Sequence, residues 1–427
     1  MAEDGLNDYE RLRQENIRRN EVMLGSLRRK ADELSAAIRL AKPKRAYQRG
    51  KKPQTPTSPV RSSLRSRGIS PAYLLSGPRN APLSPSLASS ILGAPPPEEA
   101  KIRADDIDFA LKPAHVRNVM PFSILSLRVL PLVDRTVVAA GDNTGNIGFW
   151  DVDGADVVFR YLAHKGPVSA NVAHQAAPHK IYSSSYQGEI SLVDFEEENF
   201  NIVHLWKRPI YSLCQAQDSV RCLYFGDGSG DLTLFDERVG KVLTTWDAHD
   251  DSINSIDFHP ENTHMLATSS TDRTACIWDV RNMKRKRRDS LKVFKLNDSA
   301  QSAYFSPSGR MLAVTSFSSC GTLQVISIDD IEKSHTVEYN NQTGRWPSTF
   351  KVVWGWNDTD LYVGNKRQGI DIISVEANDS GLSAQNSSYL RSQHMRSVPC
   401  QFSAHPYKVG YLACSNSFGT VFLWTRA

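Results

Sequence analysis

His249 and Asp272 are residues of the types that general acid–base chemistry uses, and they occur inside an otherwise apolar stretch. An Ala-His pair opens this stretch, Asp272 falls in a turn, and Trp278 closes the last strand pattern. In such a unit the His, the turn Asp, an intervening Ser or Thr and the strand-end Trp can form one buried hydrogen-bond relay. Because a buried polar group must be partnered to be tolerated, we predict a structural role for both residues.

Motifs of enzymes and metal sites do not accompany these residues. The sequence lacks G-x-x-x-x-G-K-[ST], G-x-S-x-G and H-E-x-x-H, and the glycine-rich residues 226–230 lie between two strand patterns without the following helix that phosphate binding needs. The cysteines are scattered without a C-x-x-C pair, as is typical of buried free thiols in a reducing compartment. We therefore expect a protein that is not an enzyme and that carries no metal and no cofactor.

The strand patterns that must position His249 and Asp272 recur along the chain. Residues 248–281 contain three strand patterns, separated by turns at 259–262 and 272–273. From about residue 107 onward, innermost strands are predicted to begin near Ile124, Val168, Ile210, Ile253, Ala300, Phe350 and Val398. Third strands are predicted to end near Trp150, Phe195, Phe235, Trp278, Ile326, Ile373 and Trp424. Seven of each predict an all-β fold, a seven-bladed WD-repeat β-propeller over residues 107–427.

The last blade requires an outer strand from another part of the chain, because the sequence ends on a third-strand pattern. Residues 110–119, just before the first blade, are the natural donor. Such a closure removes the open edges that a sheet must otherwise protect. We therefore predict that the two ends of the propeller region pair in one sheet.

Charge divides the chain into a basic arm and a mildly acidic body. Residues 1–103 contain 20 Lys/Arg against 10 Asp/Glu, and the remainder contains 31 against 36. Apolar residues at spacings of three and four predict an amphipathic helix over residues 1–41, and residues 42–106 are predicted to be a disordered basic Pro/Ser-rich linker. The chain contains no run of eighteen apolar residues and no apolar segment of a secretory signal, so we expect no membrane association.

A cluster of basic residues in the linker suits a nuclear import signal and a phosphate-binding tail, although a solubilising tail is the alternative. We predict nuclear localisation from it. Its members are Lys42, Lys44, Arg45, Lys51 and Lys52.

Basic residues also collect on one face of the predicted propeller. Connections from the outer strand of one blade to the inner strand of the next share that face with the turns between second and third strands. Positive charge there suits phosphate neutralisation, and Trp346 offers a surface for base stacking. The alternative is that polar loops collect charge by chance. The predicted DNA-binding residues are Lys165, Lys207, Arg208, Arg273, Arg345, Trp346, Lys351, Lys366, Arg367, His394 and Arg396.

The opposite face carries a repeated box of an aromatic residue followed by Asp-x-Arg. Asp236 and Arg238 form the first Asp-x-Arg box, and Asp279 and Arg281 form the second, at equivalent strand ends of consecutive blades. Adjacent exposed guanidinium groups bind carboxylates on another protein efficiently, so we predict a partner-binding site. The alternative is that each Arg pairs only with its own Asp neighbour.

Three segments resemble a known family. Residues 9–24 contain Tyr-Glu-Arg, Glu-Asn-Ile-Arg-Arg-Asn and Met-Leu, and residues 344–354 contain Gly-Arg-Trp-Pro and Lys-Val-Val-Trp. With the basic Ser-Leu-Arg-Ser-Arg-Gly at 63–68, they are similar to the WD-repeat family that includes damaged-DNA-binding protein 2. The resemblance covers nearly the whole chain. It implies a nuclear propeller that binds DNA, in some members with a preference for damaged or modified bases, and that docks through the Asp-x-Arg boxes as a substrate receptor of a cullin-type ubiquitin ligase.

In damaged-DNA-binding protein 2 the loop equivalent to residues 341–349 carries an aromatic-Gln-His wedge that enters the lesion. Here the loop has Gly344, Arg345 and Trp346 instead, so the resemblance supports DNA contact but not lesion extrusion. We expect a monomeric nuclear protein that binds single- or double-stranded DNA, preferring damaged or modified DNA, in the DNA damage response and DNA metabolism. The alternatives are a ubiquitin-ligase receptor, or a general chromatin scaffold with histones among its partners.

Overall fold

The computed structural model describes residues 106–427, apart from 155–156, 198, 217–218, 285–288, 318–320, 331, 339–349 and 379–380. The predicted helix over 1–41 and the linker over 42–106 with its import cluster lie outside the described residues, except for residue 106. So do Arg345 and Trp346.

The described chain folds into seven antiparallel sheets, and this confirms the predicted seven-bladed β-propeller. Strands within a blade are called a to d from the centre outwards. The chain begins with β1 (Phe109–Ala110), a 3₁₀ turn (Pro113–His115) and β2 (Val116–Asn118). Blade 1 follows with β3 (Ile124–Val129), β4 (Val137–Asp142), β5 (Asn146–Asp151) and β6 (Val158–Leu162). Blade 2 contains β7 (Val168–Ala173), β8 (Lys180–Ser185), β9 (Glu189–Asp194) and β10 (Asn199–Leu205).

The next two blades contain the strands on which the relay and the Asp-x-Arg boxes were predicted. Blade 3 contains β11 (Ile210–Gln215), β12 (Cys222–Asp227), β13 (Asp231–Asp236) and β14 (Lys241–Asp247). Blade 4 contains β15 (Ile253–Phe258), β16 (Met265–Ser270), β17 (Thr274–Asp279) and β18 (Lys292–Lys295).

The last three blades complete the ring. Blade 5 contains β19 (Ser299–Phe305), β20 (Met311–Phe317), β21 (Thr322–Ser327) and β22 (Ser334–Glu338). Blade 6 contains β23 (Val353–Trp354), β24 (Asp360–Asn365), β25 (Gly369–Asn378) and β26 (Gly381–Leu390). Blade 7 contains β27 (Gln401–Ala404), β28 (Leu412–Ser415) and β29 (Thr420–Arg426).

Strand a begins later than predicted in blades 6 and 7. It begins at Val353 rather than Phe350, and at Gln401 rather than Val398. The c–d hairpin of blade 6 is also longer than predicted, since β25 continues past Ile373 to Asn378. Phe350 and Cys400 are buried just before these strands but are not part of them, and hydrophobicity alone does not distinguish a buried residue of a strand from one that precedes it.

The outer strand of blade 7 comes from the start of the propeller, as predicted. Strand β1 pairs with β29 through Phe109 opposite Arg426, and β2 pairs with it through Val116 opposite Phe422. The backbone N–H of Ala427 also donates to the Asp108 carbonyl at 2.8 Å. The pairing closes the ring, so the edge of β29 is covered.

The hydrophobic core lies between neighbouring sheets. Phe149 of blade 1 and Phe195 of blade 2 have ring centroids 4.8 Å apart. Trp150, Trp278 and Trp424 lie on the third strands of their blades and are almost completely buried. The alternation of strand residues therefore directs apolar side chains towards adjacent blades, as the sequence pattern predicts.

The hydrogen-bond relay of blade 4 is present as predicted. Asp272 lies 3.0 Å from His249 Nδ1, and Thr268 Oγ1 lies 2.7 Å from His249 Nε2. Trp278 Nε1 donates to the same Thr268 oxygen at 2.8 Å. Burial by itself raises the pKa of Asp272, but hydrogen bonds from His249 and Thr274 outweigh burial and hold that pKa below its ordinary value. His249 and Asp272 thus join the d–a connection to strands b and c.

The antiparallel order of each blade defines two faces of the propeller. We call the face formed by the b–c turns and the d–a connections the upper face, and the face formed by the a–b and c–d turns the lower face. Strands a line a central channel that contains a cavity of about 1000 Å³. These three surfaces are where a propeller can hold a functional site.

Candidate nucleic-acid interface

The turns of the upper face are tied to the connections beside them by a recurring backbone contact. In blade 1 the Gly145 carbonyl accepts hydrogen bonds from the N–H groups of Ala163 and His164, at 3.2 and 3.1 Å. Gly145 has φ of 99°, and a Cβ there would lie 2.2 Å from the His164 carbonyl oxygen. Gly188, Gly230 and Gly419 occupy the same place with positive φ in blades 2, 3 and 7. Glycine at this position therefore lets each b–c turn pack closely against the neighbouring d–a connection on the upper face.

Arg273 occupies this left-handed position in blade 4, where glycine would be less strained. Its φ is 70°, and its carbonyl accepts a hydrogen bond from Leu296 N at 2.9 Å. The side chain is exposed. Gln368 occupies the equivalent position in blade 6, and its φ is 63°. Left-handed backbone at a residue other than glycine costs free energy and is concentrated at functional sites, so Arg273 is a strong candidate contact.

Most of the other predicted basic residues on described segments lie exposed on the upper face. Lys165 and Lys207 follow the outer strands of blades 1 and 2, and Lys366 and Arg367 lie on the b–c turn of blade 6. Arg396 is exposed before blade 7, whereas the neighbouring His394 is half-buried. The structure thus brings these residues to one face, as the sequence predicts.

Arg208 is exposed but is already paired with carboxylates of its own blade. Its guanidinium group lies 3.0 Å from Asp227 and 2.5 Å from Asp231. Hydrogen bonds from Asp231 and Asp227 raise the pKa of Arg208. Trp206 Nε1 also donates to Asp227, at 2.9 Å. Arg208 therefore joins the connection before blade 3 to the b–c turn of that blade. A phosphate would have to compete with these two carboxylates for the Arg208 guanidinium group.

Lys351 lies in the central channel rather than on the loops of the upper face. Its Nζ donates to the Asn254 carbonyl at 3.4 Å, and it lines the cavity. Burial lowers the pKa of Lys351 to about 8. Its position just before β23 directs it towards the axis of the ring. The sequence indicated the loop correctly but not the direction of the side chain.

The charge on the upper face is not uniform. Asp250 and Asp251 are exposed in the connection between blades 3 and 4, and Asp247 is exposed at the end of β14. Because blade 7 adjoins blade 1 in the closed ring, most of the exposed basic residues form one arc over blades 6, 7, 1 and 2, while Arg273 of blade 4 lies beside an acidic sector at the connection between blades 3 and 4. An anionic ligand would be directed away from that sector.

Exposed aromatic residues also lie on the upper face, and they were not predicted from the sequence. Among the described residues, the exposed aromatic side chains are Phe122, Phe317, Tyr389 and Phe418, at 51%, 43%, 51% and 69% exposure. Phe418 lies on the b–c turn of blade 7, and Phe122 lies on the connection between blades 7 and 1. Phe317 ends strand b of blade 5, and Tyr389 is the last residue but one of strand d of blade 6, so both lie at the upper ends of their strands. The position of Phe418 in a Ser-Phe-Gly turn was the available signal, since a turn tip has no core to bury an aromatic ring.

The predicted partner-binding boxes lie on the lower face at the ends of β13 and β17. Arg281 pairs with its own Asp279, through Nε–Oδ1 at 3.0 Å and Nη2–Oδ2 at 2.8 Å, and this bidentate pair holds the pKa of Asp279 below its usual range. Arg238 is exposed, and its backbone N–H donates to Asp236 at 2.8 Å. The two boxes therefore differ, because only the second has this bidentate side-chain pair in the described contacts.

The described residues can also be compared with the requirements of a metal site, a membrane-spanning helix and a disulfide. They contain no group of three or more His, Cys, Asp or Glu side chains placed to hold a metal ion. No helix in this part of the chain is long and apolar enough to span a bilayer. Five cysteines of the described part are free thiols, and Cys320 falls in a gap.

Comparison with known proteins gives one family match. The WD domain, G-beta repeat, matches residues 240–279, which contain the relay residues of blade 4 and Asp279 of the second Asp-x-Arg box. This match covers the stretch in which the sequence pattern is most complete.

Curated relatives match over a larger part of the chain. The DNA damage-binding protein CMR1 of Vanderwaltozyma polyspora is 24% identical over 374 residues, covering 77% of this chain and 66% of the relative. WD repeat-containing protein 76 of Xenopus laevis is 28% identical over 329 residues, covering 72% and 54%, and that of Mus musculus is 28% identical over 259 residues, covering 58% and 41%. The chain thus spans between 41% and 66% of the length of these relatives. The expected resemblance is confirmed, since the chain is similar over most of its length to the WD-repeat proteins of these two names.

Proposed function

We propose that the propeller binds DNA with its upper face, in the nucleus and in the response to DNA damage. The observation that carries this proposal is the coincidence of two kinds of side chain on one face. Exposed Lys and Arg lie on blades 1, 2, 4, 6 and 7, and every exposed aromatic side chain of the described residues lies on the same face. Basic residues interleaved with aromatic ones match the needs of a nucleic acid, which offers phosphates and base surfaces together.

The names of the relatives support damage recognition. CMR1 is named a DNA damage-binding protein, and its similarity extends over 77% of this chain. We therefore propose a preference for damaged or modified DNA. Residues 341–349, with Arg345 and Trp346, lie outside the described residues and remain a proposed contact. Ionic pairing with phosphates would supply general affinity, while contacts to exposed base surfaces would supply the preference.

The test measures binding of the full chain to plain, ultraviolet-irradiated and base-modified duplexes over a range of salt concentrations. Lys366→Ala with Arg367→Ala should weaken all three complexes about equally and reduce the salt slope by about 0.9 for each phosphate that is no longer neutralised. Lys241→Ala with Arg310→Ala, which removes one Lys and one Arg from the lower face, is the matched control. Equal loss of affinity in both double variants would contradict the use of the upper face.

We propose docking to a cullin-type ubiquitin ligase adaptor as a second function. Two Asp-x-Arg boxes of consecutive blades lie on the lower face, away from the proposed DNA site, and both arginines are exposed. Arg238→Ala with Arg281→Ala should abolish co-purification of the adaptor while DNA affinity and the thermal midpoint change little. Unchanged co-purification would show that the boxes only stabilise their own turns.

A further inference from the structure

Two segments that each carry an exposed aromatic residue pack together where the ring closes. We call the junction of residues 116–123 and 416–420 the closure seam. The Gly419 carbonyl accepts hydrogen bonds from Val119 N at 2.9 Å and Met120 N at 3.0 Å. A Cβ on Gly419 would lie 3.0 Å from the Phe122 carbonyl oxygen, so the turn that carries Phe418 packs directly against the segment that carries Phe122.

Both aromatic residues are held by hydrogen bonds of their backbone segments. Asn416 Oδ1 accepts from Phe418 N at 2.9 Å and from Thr420 N at 3.0 Å, and Asn416 Nδ2 donates to Ser397 Oγ at 2.6 Å. On the other side, the carbonyl of Ser123 accepts from Asn143 N at 3.0 Å. The backbone of each tip is therefore fixed before a ligand arrives, and this reduces the entropy lost on binding.

The seam is also positively charged. Arg160 donates through Nε to the Val119 carbonyl at 2.6 Å and through Nη2 to the Asn118 carbonyl at 3.0 Å. Burial, and then the positive charge of Arg117, lower the pKa of Arg160, and Arg117 is exposed. Arg396 precedes Ser397, the partner of Asn416, and is exposed. Basic residues therefore belong to both segments of the seam, Arg117 to the segment that leads to Phe122 and Arg396 to the segment bonded to Asn416.

We infer that the closure seam binds unpaired bases of single-stranded DNA, with Phe122 and Phe418 stacking on bases and Arg117 and Arg396 facing phosphates. This inference rests on the proposed function and specifies its substrate. In an intact duplex the face of each base is covered by its neighbours, whereas an unpaired base offers a free face to a projecting ring. A single strand, or the unpaired region of a distorted duplex, is therefore the form of DNA that these tips fit.

The test compares three labelled probes by fluorescence anisotropy with the full chain: an oligothymidine single strand, an intact duplex and a duplex with a central unpaired bubble. Phe122→Leu with Phe418→Leu retains much of the apolar area but removes the flat rings. Affinity for the single strand and the bubble should fall about ten-fold or more, as loss of base stacking does, while duplex affinity stays within about two-fold. Phe418→Trp, which retains a stacking surface, should retain single-strand affinity.

Val293→Ser, on the outer strand of blade 4, is the control for loss of an exposed apolar side chain. The thermal midpoints of all variants are measured alongside, and the exposed positions should leave them nearly unchanged. If the Leu variant loses no affinity, or loses it equally for all three probes, the inference is overturned while duplex binding by the wild-type chain still supports the proposed function. If the wild-type chain binds none of the three probes, the proposed function itself fails.

Discussion

Thr268 is the residue that joins the two halves of the blade 4 relay. Asp272 can only accept, so His249 Nδ1 donates to it, and in the neutral imidazole Nε2 is left to accept from the Thr268 hydroxyl. The same oxygen accepts from Trp278. Thr268→Val has nearly the same shape but leaves a buried donor and a buried acceptor without partners. We expect the free energy of unfolding to fall by roughly 2–4 kcal/mol.

Urea denaturation monitored by tryptophan fluorescence measures this loss. Thr336→Val is the control, because it makes the same substitution on an exposed outer strand and should change stability by less than about 0.5 kcal/mol. A small effect at Thr268 would mean that water or a neighbouring group replaces the hydroxyl.

Arg273 should affect stability and binding in opposite directions. Its φ of 70° is a conformation that glycine adopts without strain, so Arg273→Gly should stabilise the folded protein by up to about 1 kcal/mol. The same change removes a cation from the upper face and should lower DNA affinity. Thermal melting and anisotropy on one preparation measure both quantities. A residue with a purely structural role would alter stability and leave DNA affinity unchanged.

Asp257 should make stability depend on pH. It lines the channel and accepts a hydrogen bond from Phe305 N at 2.8 Å. Burial raises the pKa of Asp257 to about 7, although that hydrogen bond and the charge of Arg128 oppose the rise. The ordinary pKa of a carboxyl group is near 4. Between about pH 4 and pH 7, Asp257 is therefore ionised in the unfolded chain but still protonated in the folded chain. Stability supplied by the protonated form is therefore lost as pH rises through this window. The neighbouring titratable side chains are Cys214 and Tyr304.

Asp257→Asn retains an oxygen acceptor for Phe305 and cannot ionise. The stability advantage of the variant over the wild-type chain should grow by up to about 3 kcal/mol between pH 5 and pH 8, because about two pH units of the window lie in this range and each is worth about 1.4 kcal/mol. Thermal melts over pH 5–8 test this expectation. Asp134→Asn, at an exposed position, should show no such difference between the two pH values.

At the scale of elements, closure of the ring depends on β1 and β2. Ile107 and Leu111 are buried beside them, and each such side chain stabilises by about 1.5–3 kcal/mol. A chain of residues 120–427 should therefore be less stable than one of residues 107–427 by about 3 kcal/mol or more. It should also associate with increasing concentration, because the edge of β29 is open. Denaturation and size-exclusion chromatography distinguish the two chains, and equal behaviour would contradict a role for the closing strands.

At the scale of the whole molecule, general affinity and preference for particular DNA should be separable. Residues 1–103 contain 20 Lys/Arg against 10 Asp/Glu, while the rest of the chain contains 31 against 36. Removing residues 1–103 should lower affinity for every DNA probe and flatten the salt slope, since fewer counterions are released. The affinity ratio between irradiated and plain duplex should stay constant. A changed ratio would place part of the recognition in the basic arm.

Much of the propeller was predictable because its signals are local. Turn residues separate short apolar strands at a regular spacing, so seven inner strands could be counted, and the relay from His249 to Trp278 lies within a single repeat. The donor of the closing strand was also predictable, since an incomplete last blade leaves one candidate segment. The misplaced starts of β23 and β27 follow from the same dependence on local hydrophobicity, because Phe350 and Cys400 are buried without belonging to a strand.

Only the tertiary structure decided which side chains are available at the surface. Arg208 and Lys351 were predicted from the sequence to be available cations, yet Arg208 pairs with two carboxylates of blade 3, and Lys351 points into the channel towards blade 4. Conversely, Phe122 and Phe418 are separated by almost the whole propeller in sequence and become neighbours only because the ring closes between them. Strand and turn patterns depend on adjacent residues, so the blades could be predicted from the sequence. The pairing and the exposure of a side chain depend on distant parts of the chain, so these contacts could not.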